Sequence, residues 1–309
     1  MSGEITGAVV IEVEDLRMRY GSMDVLNGVS LRVQRGEVVA LLGPNGAGKS
    51  TTIEILVGFR GRSAGEVTVL GVDPSGGDEA WRARVGIVLQ SWRDHGKWRV
   101  GEFLANQGSL YAPYATPRVR RPWDTEKLLA AVGLSDQAAQ QVRRLSGGQR
   151  RRLDVAVGLV GRPELLFLDE PTAGLDPQAR RDFHDLLRQA AAELEMTVLM
   201  TTHDLAEADK LADRIAILVD GRIIAEGTSA ELAQQIAGED QVRWVRDGHR
   251  FEHSTADSTG FVLQLLREHG DAITELEVRR ASLEDTYLTL VQAVEQDISR
   301  SSISHEEAA

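Results

Sequence analysis

The 309-residue chain has no cysteine, which excludes disulfides, thiolate catalysis and Cys-based zinc sites and makes a reducing compartment the expectation. Basic residues are in deficit. There are 35 Lys and Arg against 47 Asp and Glu, a formal net charge of −12, so the molecule as a whole is a poor electrostatic match for nucleic acid. Long hydrophobic runs are missing too: no stretch reaches the ~20 apolar residues of a membrane span, and the acidic start Met1-Ser2-Gly3-Glu4 does not read as a signal peptide. What is present is ordinary for a soluble globular protein, with 42% hydrophobic and 27% charged residues. The length suits two domains, or one large domain with an appendage.

The pattern of apolar runs sets the fold class. Residues 9–42 read as β-rich runs broken by turns at Tyr20-Gly21-Ser22 and Arg35-Gly36, ending in the wholly apolar 38–42. Further apolar runs follow at 165–168, 197–200 and 215–219, separated by segments of helical period. Uninterrupted apolar strands are what a sheet buried on both faces needs, so the centre of the chain is expected to be an α/β layer structure. From about 91 to 158 helical patterning replaces the strands, and a helical subdomain is expected there. Within it, residues 91–125 hold Trp92, Trp98, Phe103, Tyr111, Tyr114 and Trp123, six of fifteen aromatics, together with six Lys or Arg against three acids. After Gly227 a helical stretch leads into strand, helix and strand at 241–246, 261–269 and 276–278, then a last helix at 283–294: a small α+β domain at 228–294, with 295–309 as a flexible tail.

The segment Gly43-Pro44-Asn45-Gly46-Ala47-Gly48-Lys49-Ser50 fits G-x-x-x-x-G-K-[ST], follows a buried strand and opens a helix at Ser50-Thr51-Thr52. Glycines let successive N–H groups point at phosphate oxygens, and the helix N-terminus adds favourable potential. Lys49 supplies a full charge to the β- and γ-phosphates, and the Ser50 hydroxyl is placed to ligate Mg²⁺. A P-loop also needs a carboxylate for the metal and a group that activates water. Leu165-Leu166-Phe167-Leu168-Asp169-Glu170 is a buried strand ending in two acids, at the edge where ligands of open α/β sheets bind. Asp169 is the metal ligand and Glu170 the general base in this reading.

Leu145-Ser146-Gly147-Gly148-Gln149 opens another helix and forms a second anion-binding N-terminus, which one ATP does not need. A dimer explains it, with this loop capping the γ-phosphate of an ATP held by the opposite subunit. These residues resemble the ATP-binding-cassette (ABC) family, whose signature is LSGGQ, and the likeness spans residues 9 to about 227. The resemblance implies an α/β P-loop ATPase with a RecA-like core, an antiparallel β subdomain and a helical subdomain, here followed by the small α+β domain. It implies ATP and Mg²⁺ as cofactors. It further implies that Tyr20 stacks on adenine, that Gln90 senses metal and water, that Ala173-Gly174-Leu175-Asp176 crosses the dimer seam, and that His203 contacts the γ-phosphate. Ser146, Gly147, Gly148 and Gln149 bind nucleotide from across the seam in the same picture. The cluster Arg143, Arg144, Arg150, Arg151 and Arg152 flanks the signature loop, so a solvated helix face, or contacts to nucleotide and neighbouring subunit, accounts for it better than nucleic acid does.

Finer wording narrows the likeness. Gly148 to Asp154, Leu159 to Glu164 and Ser282 to Leu288 look like the daunorubicin-resistance branch of ABC exporters, in which the ATPase is a separate chain working with an ABC-2-type permease. The expectation is a cassette that dimerises head-to-tail with a second copy of itself, or with a homologous cassette, around two MgATP, sits at the cytoplasmic face of the membrane through its permease, and powers drug, antibiotic or lipid efflux. Residues 91–125, directly after Gln90 and rich in Trp, Tyr and Arg, are the expected permease contact. Two other classes compete: a soluble ABC ATPase acting on ribosomes or DNA, and a regulatory ATP-binding module without hydrolysis. One P-loop and no sustained heptads speak against the first, and Glu170 with His203 against the second.

Overall fold

The computed structural model describes residues 8–89, 95–194, 196–236, 240–255 and 257–279. Two compact units divide the chain at residues 223 and 224, inside the strand Arg222–Gly227, which is described with the sheet of the first unit. In the first, β1 (Val9–Tyr20) and β2 (Met23–Gln34) are longer than the sequence runs foretell, because their bulged antiparallel pairing carries both strands past the polar positions that interrupt the apolar pattern. Next come β3 (Val38–Leu42), α1 (Lys49–Leu56), β4 (Ala64–Val69), α2 (Glu79–Arg82) and β5 (Val85–Val88). The helical stretch holds α3 (Val100–Ser109), α4 (Thr125–Ala131) and α5 (Gly147–Leu159), and the α/β alternation resumes with β6 (Leu165–Asp169), α6 (Pro177–Leu194), β7 (Thr197–Thr202), α7 (Leu205–Leu211), β8 (Arg214–Val219) and β9 (Arg222–Gly227).

β2, β1 and β4 form a three-stranded antiparallel sheet, and a six-stranded sheet runs β5-β6-β7-β3-β8-β9. The five strands from β5 to β8 pair in parallel, and β6, β7 and β3 are buried almost throughout, which is why their sequences are apolar except for the threonines of β7 and the closing Asp169 of β6. Parallel pairing has a further consequence. The carboxyl ends of β5, β6, β7 and β3 lie side by side, in the register Leu42↔Thr202 and Asp169↔Thr201, so the segments leaving these strands all emerge at one edge. Beneath that edge, Leu41, Phe167, Leu199, Ile53 and Leu56 share one core with Val13, Leu31 and Val67 of the antiparallel sheet.

In the second unit, α8 (Ser229–Ile236) precedes a sheet ordered β11-β10-β12, built from β10 (Asp240–Arg246), β11 (His249–Thr255) and β12 (Ile273–Arg279), with α9 (Ser258–His269) between β11 and β12. β11 is absent from the sequence reading because HisArgPheGluHisSerThr has one strongly apolar residue and is almost wholly exposed; backbone pairing to β10 makes it a strand. Val242, Trp244 and Leu265 form the small core. The expected helix at 283–294 and the tail at 295–309 lie outside the described residues.

Candidate functional site

β3 delivers the chain into the loop Gly43–Gly48 at the sheet's carboxyl edge. A Cβ on Gly43 would lie 2.1 Å from the Leu218 carbonyl oxygen, and Gly48 combines φ 102° with only 2.5 Å of room to Leu26 Cδ2. Both positions therefore require glycine for steric reasons. The amide of Ala47 donates to the Pro44 carbonyl at 3.3 Å, closing the loop onto the start of α1. Lys49 is buried; its Nζ donates to the carbonyls of Gly43 (2.8 Å) and Pro44 (3.0 Å) and stands 3.4 Å from Glu170 Oε1. The ammonium is thus folded over the loop that precedes it and aimed at the end of β6.

There the acids divide their work. Asp169 Oδ1 accepts from Ser50 Oγ at 3.2 Å and from Thr201 Oγ1 at 2.6 Å. Thr201 Oγ1 also accepts from the Glu170 amide at 3.0 Å, so one hydroxyl of β7 fixes both acids. Glu170 takes φ 44°, a left-handed conformation uncommon outside glycine, and its Oε1 lies 3.3 Å from His203 Nδ1 as well as 3.4 Å from Lys49. A carboxylate held between an ammonium and an imidazole, beside a glycine-rich loop at a helix N-terminus, is suited to a polyphosphate and to the proton of an attacking water. The cleft, about 480 Å³, is lined by Tyr20, Val25, Asn45, Gly46, Gly48, Lys49, Ser50, Thr51, Glu170 and His203. One face of the Tyr20 ring carries Arg60, whose guanidinium carbon is 5.0 Å from the ring centroid. Gln90 lies outside the described residues.

The signature residues are elsewhere. Ser146 caps α5 in a reciprocal box, its Oγ accepting from the Gln149 amide (3.2 Å) while Gln149 Oε1 accepts from the Ser146 amide (3.0 Å). Ser146, Gly147, Gly148 and Gln149 line a separate cleft of about 760 Å³ together with Gly174, Leu175 and Asp176, and the two clefts share no residue. Within one chain the structure does not bring these four residues to Lys49.

The arginine cluster is a solvated face only in part: Arg143 and Arg144 are exposed, the other three are not. Arg151 is buried and binds main-chain carbonyls at the ends of β5 and β6, Arg152 pairs with Asp182 at 2.7 Å and Arg150 with Asp154 at 3.4 Å. Burial pulls the Arg151 guanidinium below its ordinary pKa, with the carboxylate of Asp154 opposing the shift. Sequence reasoning named Arg151 only as one of a basic cluster and gave Thr201 no role, whereas the structure sets both against the main chain or side chains of Asp169 and Glu170. The one sequence signal for Arg151 is its place on the apolar stripe of α5, four and eight residues before Val155 and Leu159. In the helical stretch Phe103 is core, whereas Trp98 remains 39% exposed and Leu110 62%.

Known proteins resemble this chain in sequence and in fold. The family model described as ABC transporter matches residues 26–173. The chain is 42% identical over 234 residues to a Nod factor export ATP-binding protein of Ralstonia nicotianae, covering 75% of this chain and 71% of the relative. It is 37% identical over 291 residues to a fluoroquinolones export ATP-binding protein of Mycobacterium tuberculosis, covering 91% and 93%. A daunorubicin resistance ATP-binding protein of Streptomyces coeruleorubidus is 41% identical over 232 residues, covering 74% and 71%. The chain belongs to the ABC transporter ATP-binding family. Among solved structures, the ADP conformation of an ABC transporter's ATP-binding cassette matches with TM-score 0.63 and 27% identity, over 72% of this chain and 92% of that one. A nucleotide-free cassette matches with TM-score 0.62 and 26% identity, over 72% and 92%. The protein is thus an ATP-binding cassette and an ATPase, with an α/β P-loop fold and an antiparallel β subdomain.

Proposed function

We propose that this cassette is the ATP-hydrolysing subunit of an exporter, dimerising head-to-tail around two MgATP and driving an ABC-2-type permease, with drugs, antibiotics or lipids as the exported class. The observation that carries the dimer is the separation of the two phosphate-binding loops into clefts with no common residue. Gly147 adds support. A Cβ there would meet nothing within 4 Å and its φ lies outside the left-handed region, so packing inside the chain does not demand glycine, while close approach by a nucleotide from outside would. The export role rests on the relatives, whose names refer to export of Nod factor and fluoroquinolones and to daunorubicin resistance.

In this reading residues 1–227 are the cassette, with the helical subdomain at about 91–158 meeting the permease through about 91–125, and 228–294 are an accessory domain. Attachment to the cytoplasmic face of the membrane is through the permease; among the described residues no helix is long and apolar enough to cross a bilayer. Lys49 binds the β- and γ-phosphates, Tyr20 stacks on the base, Glu170 accepts the proton of the attacking water, and His203, beside Glu170, contacts the γ-phosphate. The donor set at the head of α1 fits magnesium: Ser50 Oγ and Asp169 Oδ1 are hard oxygen ligands 3.2 Å apart, and one or two carboxylates plus substrate phosphates are what Mg²⁺ commonly takes. When bound, the ion would neutralise charge on the phosphates.

Glu170→Gln tests the assignment, because the amide keeps the shape of the side chain and loses the base. Turnover should fall by orders of magnitude while ATP binding persists and a nucleotide-bound dimer accumulates, read by phosphate release and size-exclusion chromatography. Unchanged turnover would remove Glu170 from the mechanism.

A further inference from the structure

Helix α5 turns one cationic side chain inward, at the point where two catalytic segments leave the sheet. Arg151 is 7% exposed. Its Nη1 donates to the carbonyl of Leu89, the residue before Gln90, at 2.7 Å, and its Nε donates to the carbonyl of Pro171. Its Nη2 is shared between the carbonyls of Asp169 and Glu170, each at 3.4 Å. Carbonyls just past a strand's end have left the ladder, and buried without donors they would carry the full cost of desolvation. A planar guanidinium with five N–H groups in a fixed fork can serve carbonyls after two neighbouring strands at once, which a point-like ammonium cannot.

Glu170 makes the arrangement functional. Its left-handed conformation, φ 44°, persists only where the surroundings over-determine it. They do so from both sides: the Glu170 amide donates to Thr201 Oγ1 at 3.0 Å, and the Glu170 carbonyl accepts from the Ala173 amide at 3.2 Å and from Arg151 at 3.4 Å, a side chain that also ties it to the end of β5. We infer that Arg151 is a positioning residue for hydrolysis, holding the Glu170 main chain in the orientation that sets its carboxylate against Lys49 and His203, and fixing where the chain leaves β5 toward Gln90. The inference rests on the reading of Glu170 as the base.

The test uses the full-length chain with Arg151→Lys and Arg151→Gln, each also combined with Glu170→Gln. Steady-state phosphate release, binding of a fluorescent ATP analogue and thermal melting are measured on each. The expected result is a kcat about ten- to a hundredfold lower, in line with the cost of displacing a catalytic group by about 1 Å, with ATP affinity within about twofold of the parent. On the residual rate of Glu170→Gln, adding Arg151→Lys should cost nothing further, because a residue acting through Glu170 has no effect once the base is gone. Parental kcat in folded Arg151→Lys, or an equal fractional loss in both backgrounds, would overturn the positioning role. Full turnover in Glu170→Gln alone would overturn the base assignment beneath it, so the two failures are distinguishable.

Discussion

Thr201→Val removes one hydroxyl and almost no volume, which makes its cost calculable. Thr201 is fully buried, so valine leaves neither a cavity nor a new exposed surface. Asp169 Oδ1 loses its 2.6 Å donor and keeps Ser50 at 3.2 Å, while the Glu170 amide loses Thr201 Oγ1 but retains the Thr201 carbonyl at 3.2 Å. The dominant loss is one hydrogen bond to a buried carboxylate, about 1.5–3 kcal/mol, and the partly satisfied amide adds little. For a cooperative unit of this size about 2 kcal/mol corresponds to a fall in Tm of roughly 4–8 °C. Because the same hydroxyl fixes both acids, kcat should fall by about tenfold or more while ATP affinity stays close to the parent's. Thr201→Ser keeps the oxygen and should restore most of both. The assays are calorimetric melting and phosphate release. A valine variant that melts with the parent and turns over normally would show that Thr201 does not organise the acidic edge.

Tyr20→Ala should raise KM for ATP about tenfold with kcat nearly unchanged, since base stacking is worth about 1–3 kcal/mol and acts equally on bound substrate and transition state; Tyr20→Trp should restore it, and a fall in kcat alone would contradict the stacking role. Gly147→Asp places an acid in the first turn of α5, where the helix tolerates it but a phosphate is repelled, so the variant should fold and be inactive. Mixed with Lys49→Ala, itself inactive, it should regain turnover, because one mixed site then combines an intact P-loop with an intact signature loop; two inactive proteins that stay inactive together would argue against the shared site. Glu164 governs an acid-sensitive part of stability. Hydrogen bonding from Arg84 (2.6 Å), opposed by burial and helped by Arg35 (3.2 Å), holds its carboxyl below the usual range. Its contribution is therefore present above the unfolded value of about 4.3 and disappears as pH falls through the lower folded value. Urea midpoints across that range should drop less steeply for Glu164→Gln than for the parent.

The P-loop, the acids after β6 and the apolar strands were legible in the sequence because each is written in contiguous residues. A loop that wraps phosphate needs glycines at fixed spacing, and a strand buried on both faces has nowhere to put a polar side chain except its ends. The signature loop was legible for the same reason, since capping α5 needs only Ser146 and Gln149, three positions apart. What the sequence could not express are contacts whose partners are remote along the chain and meet only in the parallel register. Thr201 reaches Asp169 across 32 positions, and Arg151 reaches Leu89 across 62. Neither shows in local pattern, because a threonine at the end of a strand and an arginine in a basic run look the same whether they face solvent or the end of a neighbouring strand. β11 escaped notice for a related reason, its strand character coming from the ladder to β10 rather than from its own side chains. Chemistry carried by neighbours in the chain was determined by sequence; the orientation of that chemistry was decided by which strand ends the sheet sets side by side.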